Sequence, residues 1–365
     1  MEKLKFSDVF DDITRQGTKI QANQYLVCGK YQIIDQSQND IAGYTNQEEG
    51  LFTDIPAIVF GDHTRVIKYV DRPCFFGADG VKLLKVKNDY LNCRYLYYVL
   101  LNAKIPDTGY NRHFKWLKEI DIPIYDAKIQ NIIVKMLDKI ADLIVKRKKQ
   151  LEKLDELVKA RFVELFGNVI RNDKGWEQYT FSDIATSRLG KMLDAKQQTG
   201  KYAYPYLANF NVQWFRFEIE NLNKMDFNEA DRQEFELRDG DLLVCEGGEI
   251  GRCAVWHNEI QPCYFQKALH RVRCNQHIVL PDYMAWWFKY NCDHKGFAAI
   301  EGAKATIAHL PGAKLKVLKV TVPPIELQNQ YVAFLKQTDK SKLEVQKSLE
   351  KLELLKKALM QKYFG

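Results

Sequence analysis

The stretch LEKLDELVKARFVELFG at 151–167 returns, much of it letter for letter, as LEKLELLKKALMQKYFG at 349–365. Leu151 falls on Leu349, Leu154 on Leu352, Leu157 on Leu355, Ala160 on Ala358, Phe166 on Phe364 and Gly167 on Gly365. Upstream, IPIYDAKIQ at 122–130 parallels VPPIELQNQ at 322–330, with Pro123 over Pro323 and Gln130 over Gln330, which asks for a two-residue insertion between the matched stretches. A repeat of this size is weighed before any single element, because it decides how the chain divides.

Between the prolines and the closing glycines, apolar residues recur at helical spacing. Leu137, Ile140, Ile144, Leu151, Leu154, Val158 and Leu165 form one seam, and Leu335, Val345, Leu349, Leu352 and Leu359 form the other. Proline suits a helix start and glycine a helix stop, so both boundaries have a physical cause. Arg147, Arg161 and Lys356 interrupt the seams, which argues against a perfect two-stranded zipper. One such segment alone would be an ordinary core helix. Two equal copies, each closing a module of similar size, instead suggest spacers, since a helix of about 40 residues is roughly 60 Å long. The expected fold is α+β: two globular mixed α/β modules at 1–121 and 168–321, separated by two long antiparallel coiled-coil helices at 122–167 and 322–365, with a pseudo-two-fold internal repeat.

The modules echo each other. KFSDVF at 5–10 matches TFSDIA at 180–185. The apolar–turn–apolar runs at 55–70 (IPAIVFGDHTRVIKYV) and 239–256 (DGDLLVCEGGEIGRCAVW) both predict β-hairpins. GYNRHFKWLKEIDIPI at 109–124 sits where GAKATIAHLPGAKLKVLKVTVPP sits at 302–324, and each predicts a polar-aromatic loop followed by a basic amphipathic strand.

Composition sets the outer limits. The 365 residues are 46% hydrophobic, 28% charged and 12% aromatic, which excludes a disordered chain, and the net charge of +7 allows a polyanionic partner without requiring one. The opening MEKLKFSDVF lacks the apolar core of a signal peptide, and YLYYVLL at 95–101 is too short to span a bilayer, so a cytoplasmic protein with no membrane partner is expected. The eight cysteines form no CxxC pair, and Cys245 and Cys253 have no partner segment that would complete a zinc site; no metal is expected. There is no GxxxxGK[ST] loop, no GxGxxG, no HExxH and no GxSxG, and GGEIG at 247–251 reads as a turn, so no catalytic residues are assigned.

The double layout, the helix starts VPPIELQNQ and IPIYDAKIQ, and the ends LMQKYFG and FVELFG resemble the specificity subunit of type I restriction-modification systems, over the whole chain and most closely at 322–365. That resemblance implies two target-recognition domains reading the two halves of a split double-stranded DNA site, with the paired helices setting the gap. It also implies a non-catalytic chain that binds no cofactor itself, docked with two methyltransferase subunits carrying S-adenosylmethionine and with restriction translocase subunits using ATP and Mg. A coiled-coil protein-binding adaptor without DNA specificity is the alternative.

Arg and Lys read guanine, and Asn and Gln read adenine, in the major groove. Candidate DNA-binding residues are therefore the polar side chains of aromatic-rich loops. In the first module these are Gln36, Gln38 and Asn39, then His63, Thr64 and Arg65 in the hairpin turn, and Tyr110, Asn111, Arg112 and His113 in the closing loop. The second module offers Lys191, Gln197, Gln198, Tyr206, Asn209, Asn211, Gln213 and Arg216, with Lys304, Thr306 and His309 in its closing loop. Lys115, Lys118, Lys314, Lys316 and Lys319 suit sequence-blind phosphate contact, and Trp214, Trp286 and Trp287 are assigned to the core.

Overall fold

The computed structural model describes residues 2–77, 79–194, 198–297 and 310–365. They form two compact units, Met1–Gln150 with Val345–Gly365, and Leu151–Glu344. Each unit takes part of both long helices, Ala127–Phe166 and Ile325–Phe364.

The first unit opens with strand Glu2–Lys5, which pairs antiparallel with Asp121–Ile124, the strand leading into the first long helix. FSDV then makes a single helical turn, Phe6–Val9, whose phenylalanine and valine are buried. A four-stranded antiparallel sheet follows in the spatial order Phe10–Asp12, Val81–Val86, Ala57–Gly61, Ile67–Val70. A second, mixed sheet orders Lys19–Ile20, Cys74–Gly77, Tyr31–Ile34 and Gly43–Thr45. Helix Cys93–Leu101 is capped by Asn92, whose side chain accepts from the amides of Arg94 and Tyr95.

The second unit repeats this order. Glu177–Thr180 pairs with Lys319–Val322, FSDI makes the turn Phe181–Ile184, and the antiparallel sheet runs Ala185–Leu189, Leu269–Cys274, Leu242–Cys245, Cys253–Val255. A three-stranded mixed sheet, Lys224–Asp226, Ala203–Leu207 and Tyr264–Phe265, and the helix Pro281–Asp293 complete it. Both expected hairpins are present. The basic stretches before each long helix are not continuous strands: Phe114–Leu117 and Gly312–Lys316 are short helical segments, and only Asp121–Ile124 and Lys319–Val322 pair as strands. Burial of Leu117 and Leu315 explains this, since a helical turn tucks each inward just before the chain extends.

Buried hydrogen bonds fix the register of the repeat. In the first unit the Tyr95 hydroxyl donates to the Pro123 carbonyl at 2.7 Å, and the Gln130 side chain accepts from the Asn92 amide at 2.9 Å while donating to the Tyr125 carbonyl at 2.8 Å. In the second, Tyr283 donates to the Thr321 carbonyl at 2.6 Å, and Gln328 accepts from the Leu280 amide and donates to the Pro323 carbonyl, both at 2.8 Å. Gln328, not Gln330, is therefore the counterpart of Gln130, and Thr321, not Pro323, that of Pro123. The helices start at 127 and 325 and end at 166 and 364, so one offset of 198 residues serves throughout and the two-residue insertion disappears.

Within each unit the helix segments run antiparallel. In the first, Arg147 donates to the Ser348 hydroxyl at 3.2 Å, Lys148 pairs with Glu353 at 3.3 Å, and Ile133, Leu137 and Met360 share one core. The tail of the second helix ends with Phe364 edge-on to Tyr95, ring centroids 5.6 Å apart. In the second unit Lys342 pairs with Asp155 at 2.6 Å, Val158 and Leu335 share the core, and Phe166 meets Tyr283 at 4.9 Å and Tyr331 at 5.3 Å. Each globular module is thus held by the start of one long helix and the closing phenylalanine of the other. Arg147 and Arg161 interrupt the seam but make hydrogen bonds or ion pairs at its edge.

Candidate nucleic-acid interface

Three loops of the first unit converge on the hairpin turn between Ala57–Gly61 and Ile67–Val70. The Gln36 side-chain carbonyl accepts from the His63 amide at 3.2 Å, and the Thr64 hydroxyl donates to the Gln36 carbonyl at 2.6 Å. Gly80, at φ +67°, lets Gln36 approach; a Cβ there would lie 2.4 Å from the Gln36 amide group. Lys68 is buried and donates to the Asn39 carbonyl, tying that loop to the sheet, and burial lowers its pKa. Arg65, at φ +61°, reaches the third loop: its guanidinium pairs with Asp107 at 2.7 Å and donates to the Ile105 carbonyl at 3.4 Å. The Gly109 amide and then Arg65 hold the Asp107 carboxyl below the usual carboxylate range.

On this frame the Tyr110 ring stacks on the His63 ring at 4.7 Å and 7°, and the His63 Nδ1 lies 3.2 Å from the Asn111 carbonyl. Tyr110 is 86% exposed. Gln38 and Arg112 are exposed and make no side-chain hydrogen bond or ion pair among the described residues. His113 is different. It is buried, its Nδ1 3.0 Å from the Asp62 carbonyl and its Nε2 3.3 Å from the Thr108 hydroxyl, so its imidazole supports the loop from beneath.

In the second unit most of the candidate side chains turn inward. Lys191 donates to the Asp226 carbonyl at 2.6 Å and to Asp231 at 2.5 Å. Gln198 accepts from the Asp226 amide at 2.7 Å and donates to the Asp194 carbonyl at 3.0 Å. The Asp226 carboxylate gathers the same segment, accepting from the Thr199 hydroxyl and the Gly200 and Tyr202 amides, bonds that lower its pKa, with Thr199 the largest cause. Tyr206 lies in the core. Asn211 is buried, accepting from the Ala208 amide and donating to the Glu218 carbonyl, each at 2.9 Å. Asn209 is shared between the Gly247 carbonyl and Arg252. Gln213 is half-buried and donates to the Phe210 carbonyl, and Arg216 is exposed, 3.3 Å from Glu218. Gln197, Lys304, Thr306 and His309 lie outside the described residues.

The sequence reading missed the exposed aromatics Phe210 and Phe215 and the bracing role of Asp107. Phe215 stacks on Trp286 at 4.3 Å, and Trp287 is buried. Cys245 and Cys253 are buried thiols, and burial pushes that of Cys245 up to about 11 and that of Cys253 well above its ordinary value. Among the described residues no cluster of three or more His, Cys, Asp or Glu could hold a metal ion, and no helix is long and apolar enough to cross a membrane.

The chain thus holds two copies of one α+β module, alike in frame and unlike in loops, each packed on segments of both long helices. The chain belongs to the type I restriction modification DNA specificity domain family, whose model matches residues 1–154 and 173–354. A putative type I restriction enzyme MjaX specificity subunit of Methanocaldococcus jannaschii is 25% identical over 193 residues, 52% of this chain and 45% of that protein. A putative type I restriction enzyme specificity subunit, S.HindORF215P, of Haemophilus influenzae is 24% identical over 267 residues, 67% of this chain and 64% of that protein. The matches thus span less than two thirds of either relative. The fold is shared with a type I restriction-modification S subunit from M. genitalium, at a TM-score of 0.63 and 16% identity over 100% of this chain and 96% of that one. It is shared also with a chain from a study of assembly and conformational transition of the type I R-M system, at 0.56 and 13%, over 100% and 97%.

Proposed function

We propose that this chain is the sequence-reading, non-catalytic subunit of a type I restriction-modification complex, with recognition domains at 1–121 and 168–321 and spacer segments at 122–167 and 322–365. Each module reads one half of a split double-stranded DNA site. Because the loops differ between modules, the half-sites differ and the target is asymmetric. The long helices that run through both units set the gap, with half-site centres about one helical turn, roughly 34 Å, or somewhat more apart. Two methyltransferase subunits and the restriction translocase subunits dock on this scaffold, and S-adenosylmethionine, ATP and Mg act on those partners, in a cytoplasmic complex.

The observation that carries the reading is the 198-residue repeat of the strand and long helix, pinned by equivalent buried glutamines to two like frames with different loops. In the first module the reading set is Gln36, Gln38, Asn39, His63, Thr64, Tyr110, Asn111 and Arg112, with Arg65 and His113 as supports. In the second, Gln213 and Arg216 face the DNA, together with the loop that carries Gln197 and the closing loop that carries Lys304, Thr306 and His309. Lys191, Gln198, Tyr206, Asn209 and Asn211 act as internal supports of the module.

Base-resolution methylome sequencing of the host with and without the gene tests the reading. Loss of one split, asymmetric motif is expected; an unchanged methylome in a host expressing the partner subunits would favour a protein-binding adaptor. Salt separates the two as well, since DNA affinity falls steeply with ionic strength through counterion release and an apolar protein interface does not. Matched one-turn insertions after Lys149 and Lys347 should change the gap and leave both half-sites intact.

A further inference from the structure

Resting on the DNA-reading assignment, the geometry points to Tyr110 as the first module's reader of a thymine methyl group, with His63 as its backing plate and Arg65 as a positioning residue. A tyrosine ring exposed to 86% in a polar loop is unusual unless something covers it. Here one face is already taken, because His63 lies parallel to it at 4.7 Å. His63 is itself fixed at its amide by Gln36 and beside its ring Nδ1 by the Asn111 carbonyl. The Arg65–Asp107 ion pair, with the Gly109 amide on the same carboxylate, holds the loop that carries Tyr110. What remains is one free aromatic face, preorganised, with the exposed guanidinium of Arg112 two residues along the chain.

A flat aromatic face has no donor and accepts only weakly, so it does little to read the polar groups of a base edge. Among the groups a duplex presents in its major groove, the C5 methyl of thymine is the apolar one, so it is the feature such a face can distinguish. Arg112 is then placed for a neighbouring guanine or phosphate.

The test uses the chain assembled with its methyltransferase partners and duplexes carrying the mapped target, each thymine in turn replaced by deoxyuridine, which removes only the methyl. One position in one half-site should lose about fourfold in affinity, the weight of a single buried methyl. Tyr110→Ala should lose a similar factor on the normal target and show no further loss on the deoxyuridine duplex, while Tyr110→Phe should retain the sensitivity. Equal binding to every deoxyuridine duplex, or undiminished sensitivity in Tyr110→Ala, would overturn the inference. A complex that binds target and unrelated duplex alike would overturn the DNA-reading assignment and this inference with it. Unchanged melting of Tyr110→Ala, expected of so exposed a ring, ties the loss to recognition.

Discussion

In the first module the hairpin turn leaves His63 and Thr64 at the surface and uses Arg65 to brace a neighbouring loop whose tip, Tyr110 to Arg112, stays exposed. The matching hairpin of the second module sends Arg252 inward, where it donates to the Asn209 carbonyl and side-chain oxygen at 3.1 and 3.2 Å. There, Asn211, Gln198 and Lys191 are likewise used to satisfy backbone groups or carboxylates of their own loops. A loop can read DNA only with the polar groups left over once its own backbone is satisfied. The frames are alike, and the surplus differs.

The largest asymmetry lies in the sheets. In the second unit Asp241 is nearly fully buried and accepts from Arg273 at 2.6 and 3.0 Å through both oxygens. Strand register places Ala57 and Lys85 at these positions in the first unit, with no such pair. Asp241→Asn leaves the guanidinium without its counter-charge and should destabilise the second unit by about 3 kcal/mol. Hydrogen exchange resolves the units: loss of protection confined to 151–344 is expected, and equal loss in both would contradict this asymmetry.

The two pins, by contrast, should behave alike. Gln130→Ala and Gln328→Ala each strand a buried backbone amide, that of Asn92 or Leu280, and each should cost about 2 kcal/mol in its own unit. Markedly unequal costs would break the equivalence of the two frames.

These pins also show where sequence stops being informative. The repeat at 151–167 and 349–365, the FSDV and FSDI turns and both hairpins were legible, because amphipathic spacing and turn residues carry them. The upstream register was not. Proline marks the approach to a helix without fixing its position, so Pro123 was set over Pro323, whereas the buried amide of Gln328 lies two residues before the glutamine that looked equivalent. The polar loops were legible, but not which of their side chains stay free of their own backbone. Asn211 looks like a reader by type, yet its side chain accepts from an amide three residues earlier, a local motif that buries it. Asp107 was overlooked because its worth lies in contact with Arg65, distant in sequence.

A smaller effect probes the first module's surplus. Gly80→Ala would place a Cβ on the Gln36 amide at a backbone φ of +67°. The left-handed conformation alone costs about 1–2 kcal/mol, and the displaced Gln36 would release the His63 amide. Weakened recognition in one half-site with the other unchanged is expected; unaltered discrimination at both would show that Gln36 does not organise the reading loops.

The smallest effect concerns pH and belongs to the second module. His270 is buried, its Nε2 3.0 Å from the Leu310 carbonyl, and desolvation lowers its pKa despite that bond and the nearby Glu246 carboxylate, which both act to raise it. The corresponding residue of the first unit, by strand pairing, is Lys82, which sits beside Asp12. Above pH 6.5 the imidazole is neutral folded and unfolded, so it contributes no pH dependence. As pH falls below 6.5 the unfolded chain takes up a proton that the folded chain refuses, and stability drops until the lowered folded pKa is reached. Chemical denaturation of the second unit should therefore shift to lower denaturant between pH 7.5 and 5.5. His270→Gln, which can still donate to the Leu310 carbonyl, should flatten that slope whatever its effect on the midpoint. A slope unchanged by the substitution would assign the pH dependence to another group, and a slope of equal size in the first unit would remove the contrast between the modules.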